Sequence, residues 1–158
     1  MGTKARTASY DKMVPDVRYN SLLVTKFINC LMHDGKKSVA TRIMYDAMDL
    51  IKKRIPDADP VEVFNAAIEN VKPALEVRSR RVGGANYQVP MQVKPQRQQS
   101  LSIRWILIAI RSKAGRPTFQ RLADELIAAS RREGEAMSKR EQTVKMAEAN
   151  KAFSHFAW

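Results

Sequence analysis

Apolar residues recur at spacings of three and four through most of this chain, and give way to strict alternation only once. Leu23, Val24, Phe27, Ile28 and Leu31 form one such stripe, predicting a first helix opened by Asn20 or Ser21 and closed by Gly35 as its C-terminal cap. A second is expected from about Ser38 to Arg54, burying Val39, Ile43, Ala47 and Ile51 and stopping at Pro56. The third has the clearest start, with Asp59 as N-cap, Pro60 at the first helical position and Glu62 completing a capping box; Pro73 ends it. Leu101, Trp105 and Ile108 mark a fourth, closed near Gly115. Pro117 and Thr118 open a fifth, with Phe119, Leu122, Leu126 and Ile127 facing inward and Gly134 beyond its end. Ser138 with Glu141 reads as a further capping box, opening a sixth helix toward Phe153.

The alternating stretch lies between the third and fourth helices, at residues 75–93. Leu75 and Val77 alternate with polar residues on one arm, and Tyr87, Val89, Met91 and Val93 on the other, so a hairpin with one buried face and one wet face is expected. Gly83-Gly84 supplies the turn, Asn86 tolerates the left-handed region, and Pro90 fits an edge strand. A lone two-stranded ribbon is marginal in water, so its base should pack on helices and its tip should be fixed by a partner. The fold class is therefore mainly α, a six-helix domain with one protruding hairpin. A basic N-terminal arm over 1–19 precedes a single helical domain over 20–158.

Charge sharpens this picture. The chain holds 28 Lys+Arg against 16 Asp+Glu, a net of +12. From Lys72 to Arg116 there are ten basic residues and one acid, Glu76, so this window alone contributes +9. A field of one sign calls for a polyanionic partner, a nucleic acid or an anionic surface. The longest apolar run, Trp105 to Ile110, is far too short to span a bilayer. The first twenty residues lack the apolar segment of a secretory signal, and the single cysteine, Cys30, suits a reducing compartment.

Catalytic chemistry is almost absent. Cys30 and His33 have a C-x-x-H spacing, but His155 is the only other histidine and a structural zinc needs four ligands. Asp57 and Asp59 sit where caps and turns want them. Gly83-Gly84 is followed by neither Gly-Lys-Ser/Thr nor a helix start, so it is no phosphate-binding nucleotide loop. No metal, cofactor or small-molecule substrate is expected. Trp105 reads as a packing anchor.

Three blocks carry a resemblance. They are Asp34-Gly35-Lys36-Lys37-Ser38 with Ile43, Met44 and Ala47 downstream; the hairpin from Leu75 to Pro90; and Met146 to Phe153 with His155 and Trp158. Together they make the chain resemble the bacterial-type family of small-subunit ribosomal protein seven from about Ser21 to Trp158. The resemblance implies six helices with a protruding hairpin, and no enzymatic activity. It further implies binding to the lower part of the three-prime major domain of small-subunit ribosomal RNA, nucleation of head assembly, and residence in cytoplasmic or organellar ribosomes. The hairpin would lie near the messenger exit channel and exit-site transfer RNA, beside small-subunit protein eleven. Arg78, Arg80, Arg81, Gly83, Gly84 and Asn86 would then form its functional tip or stem.

Electrostatics extends the expected RNA contacts to Lys4, Arg6 and Lys12 of the arm, Lys36 and Lys37, then Lys94, Arg97, Arg104, Arg111, Lys113 and Arg116 around the fourth helix. The sixth helix adds Lys139, Arg140, Lys145 and Lys151. Two other classes compete. A helical DNA-binding regulator with a basic hairpin wing would leave the Met146–Phe153 block unexplained, and an RNA-cleaving enzyme would need acids or paired histidines where only Glu76 stands.

Overall fold

The structure, a computed structural model, describes residues 13–157. In chain order its elements are α1 (Leu22–Leu31), α2 (Lys37–Arg54), α3 (Pro60–Val71), β1 (Leu75–Val82), β2 (Ala85–Gln92), α4 (Pro95–Ser112), α5 (Thr118–Ser130) and α6 (Glu135–Ala149). A 3-10 helix, Lys151–Phe156, follows α6. The mainly helical class and the hairpin between the third and fourth helices are as the apolar spacing predicts.

Local chemistry explains most boundaries. Ser21 opens α1, its hydroxyl accepting from the Val24 amide at 3.4 Å. The helix stops at Leu31, its last buried apolar residue, because Met32 turns extended; Gly35 lies in the turn toward α2 and does not cap α1. Asp59 caps α3 by accepting from the Val61 amide at 3.1 Å, with Pro60 fixed at the first position and Glu62 in the first turn.

The phase of α2 differs from expectation. Its buried stripe is Ala40, Met44, Ala47, Met48 and Ile51, while Val39 is 52% exposed. Residues 40, 44, 47 and 51 follow the 3.6-residue period more closely than a stripe begun at 39. In α4, Leu101 and Trp105 are buried as expected, but Ile108 faces outward at 53% exposure, and Ile103, Ile106 and Ile110 fill the inner face.

The core runs through all six helices. Phe27 of α1 meets Phe64 of α3 edge to face, with centroids 5.4 Å apart, an arrangement that adds to what their burial contributes. Helix α5 sits at the centre, packing on α2, α3, α4 and α6 through Leu122, Ala123, Leu126 and Ala129, all fully buried. Each fully buried leucine there contributes about 1.5–3 kcal/mol.

Helix α6 begins at Glu135, with Gly134 at its N-cap, so Ser138 lies inside the helix and opens no capping box. Its hydroxyl instead donates back to the Gly134 carbonyl at 3.2 Å. Glu125 of α5 is buried at this junction, accepting from the Ala136 amide at 2.9 Å and from Lys113 Nζ at 2.8 Å. That pairing raises the Lys113 ammonium above its ordinary value. An α5 carboxylate thereby fixes where α6 starts.

Candidate nucleic-acid interface

The hairpin is closed by Gly83-Gly84, with φ of +55° and +87°, between the paired residues Val82 and Ala85. Positive φ at both central positions is the geometry that matches strand twist in a two-residue loop. Arg78 pairs with Val89, Arg80 with Tyr87, and Arg81 with Asn86. Directly opposed residues share a face, so Arg78 and Arg80 stand on the face of Tyr87 and Val89, while Arg81 and Asn86 stand on the other. The expected single apolar face does not form, because Leu75 and Val77 oppose Gln92 and Pro90 rather than Val89.

The Tyr87 face is covered. Tyr87 packs against Phe153 and Phe156 of the 3-10 helix, at centroid distances of 5.2 and 5.1 Å, and Val89 is fully buried. The Arg80 guanidinium donates to the Phe156 carbonyl. Arg80 thus ties the ribbon to the C-terminal segment. Nearer the base, Glu76 accepts from Arg78 at 2.7 Å and from Arg97 of α4 at 3.3 Å, locking stem to helix. Arg81, Gly83, Gly84 and Asn86 remain exposed at the tip.

Arg97, Arg104 and Arg111 are seven residues apart on α4, and so lie in one stripe along its outer face. Beside the stripe, a groove of about 500 Å³ runs between α1 and α4, lined by Lys26, Cys30, Arg104, Ile108 and Arg111. Partial desolvation raises the Cys30 thiol, while Lys26, Arg104 and Arg111, which line the groove with it, pull the other way. Lys26 donates to Gln99 at 2.7 Å, holding α1 to α4.

The remaining candidates divide by their internal ties. Lys36, Lys37, Lys94, Lys139, Lys145 and Lys151 are exposed. Lys113 and Arg116 are bound to carboxylates, Glu125 and Asp124, at 2.8 and 3.4 Å. Arg140 donates to the Lys72 carbonyl at 3.2 Å. Lys4, Arg6 and Lys12 lie outside the described residues.

Two further arginines serve the fold: Arg18, expected only as a basic residue of the arm, and Arg121, which the sequence reading passed over. Arg18 makes a bidentate pair with Asp49 of α2, its guanidinium 5.3 Å from the ring centroids of Tyr19 and Tyr45, so this residue of the expected arm anchors to the domain. Arg121 donates to the carbonyls of Ile110 and Lys113 and to Thr118 Oγ1, closing the end of α4. Both depend on partners far apart in sequence or on free carbonyls, which no local motif reports.

Among the described residues no three His, Cys, Asp or Glu side chains converge as metal ligands, and no helix is long and apolar enough to cross a membrane.

A family model described as Ribosomal protein S7p/S5e matches residues 3–151. The chain belongs to that family. A small ribosomal subunit protein uS7 of Rhodopirellula baltica is 60% identical over 153 residues, 96% of this chain and 98% of its own length. Proteins of the same name from Nitratiruptor sp. and Magnetococcus marinus are 55% and 53% identical, each over at least 98% of both chains. The uS7 family is one of structural ribosomal proteins, not of enzymes.

Proposed function

We propose that this chain is a structural component of the small ribosomal subunit that binds the lower part of the three-prime major domain of its RNA and nucleates assembly of the head. The hairpin tip, with Arg81, Gly83, Gly84 and Asn86, lies near exit-site transfer RNA and the messenger exit channel, beside small-subunit protein eleven, in cytoplasmic ribosomes.

The observation that carries this reading is the continuity of cations from the hairpin stem along α4, where Arg97, Arg104 and Arg111 line one face beside the α1 groove. Such a stripe suits a phosphate backbone, and membership in a family of small-subunit ribosomal proteins supports reading it as that of the subunit's RNA. Specificity comes from the shape of a folded RNA junction, since A-form grooves hide base edges.

The test is binding of the protein to a fragment of that RNA domain against duplex DNA of equal length, over a salt series. Preference for the RNA that persists at moderate salt is expected; equal or tighter DNA binding would replace this reading with that of a regulator.

The hairpin arginines should separate in their effects. Arg81→Ala should reduce the salt slope of RNA binding by about 1 and leave amide exchange in residues 151–157 unchanged. Arg80→Ala should speed exchange there, because it releases the Phe156 carbonyl. Identical exchange in the two variants would show that Arg80 does not hold the C-terminal segment.

A further inference from the structure

A cavity of about 720 Å³ opens between the base of the hairpin and the C-terminal end of α6. Leu75 and Pro90, which the strand register puts on one face of the ribbon, give the lining an apolar part able to receive the face of a planar ring. Gln92, which both donates and accepts, and Glu148, which accepts, share the lining, and a nucleobase edge offers partners to both. Lys94 and Lys151 stand at the same opening and match a phosphate in charge. The neighbouring cleft shares Met91, Gln92 and Lys94 and is lined also by Glu76 with its partners Arg78 and Arg97.

We infer that this cavity seats one unstacked nucleotide of the bound RNA, its base against the Leu75–Pro90 wall and its phosphate between Lys94 and Lys151. The inference rests on the RNA-binding reading above and names the ligand at one point of it. RNA presents bases for reading chiefly where they leave the helix, in loops, bulges and ends. An apolar side chain of a partner protein would fill the wall but make no use of the two lysines.

The test is NMR titration of the full chain with adenosine and uridine monophosphate, with inorganic phosphate as the control. Saturable shifts in the millimolar range are expected at Leu75, Gln92 and Ser154 with the nucleotides, and only around Lys94 and Lys151 with phosphate. Ser154 is an exposed residue of the lining, so Ser154→Trp fills the cavity without changing charge. That variant should weaken nucleotide binding about tenfold. Gln92→Ala, which leaves the cavity open, should also weaken it and guards against misfolding of the first variant. Absent shifts, or shifts undiminished in both variants, would each overturn the inference. Nucleotide binding here without RNA-fragment binding would sink the ribosomal reading alone; steeply salt-dependent fragment binding without nucleotide shifts would sink the nucleotide seat alone.

Discussion

Raising the salt from about 50 to about 200 mM should weaken this protein's hold on small-subunit RNA by about 10³ to 10⁵. The magnitude follows from which cations are available. Lys36, Lys37, Arg81, Lys94, Arg104, Lys139, Lys145 and Lys151 are largely exposed and make no ion pair within the described residues. That group falls within the roughly 6 to 10 phosphate contacts that give such a drop through counterion release. Lys113 and Arg116 should contribute less, since each must leave a carboxylate to reach a phosphate. Filter binding over a salt series reads the slope directly, and Lys36→Ala with Lys37→Ala should lower it by about 2. A flat profile would mean that these side chains face solvent and not the backbone of the RNA.

Gly134→Ala should be among the most damaging single substitutions for stability. Gly134 has φ +97° and ψ 176°, a region essentially closed to other residues, and occupying it costs an alanine about 1–3 kcal/mol. A Cβ there would also lie 2.8 Å from Glu125 Oε1 and 3.2 Å from Ala128 Cβ. The carboxylate has nowhere to retreat, because the same oxygen accepts from the Ala136 amide. Moving it leaves a buried donor unsatisfied, a further loss of about 1–3 kcal/mol. Gly84→Ala supplies the comparison, with φ +87° but no atom within 4 Å of its added Cβ, so it should incur the backbone cost alone. Urea denaturation of both variants measures the difference. Equal midpoints would remove the packing half of the argument.

The sequence was most informative where one residue decides a local matter. Asp59-Pro60 placed the start of α3, Gly83-Gly84 placed the turn, and apolar spacing with cap residues found the six α-helices but not the separate 3-10 helix that follows them. It was least informative where two apolar choices lie one residue apart. Val39 and Ile108 look as fit for burial as Ala40 and Ile106, and only the neighbouring helices decide between them. Ser138 and Glu141 have capping-box spacing, but Glu125, from another helix, sets the start of α6. The candidate interface divides in the same way. Its charge and the α4 stripe are visible in the chain, whereas the diversion of Arg80 to Phe156 and of Arg97 to Glu76 depends on tertiary partners. Alternation along β1 already splits Arg78 and Arg80 from Arg81 between two faces, but only the tertiary structure shows which of the two faces the 3-10 helix covers.

The covering of Tyr87 by Phe153 and Phe156 has a consequence for synthesis. A growing chain exposes β1 and β2 to its surroundings before α4, α5, α6 and the 3-10 helix have been made, so for that interval the ribbon carries bare aromatic and valine side chains and two unprotected edges. Such a ribbon can pair with another nascent chain. The density of arginine on the strands, read so far as a grip on RNA, also serves in that interval as electrostatic insulation between neighbouring copies.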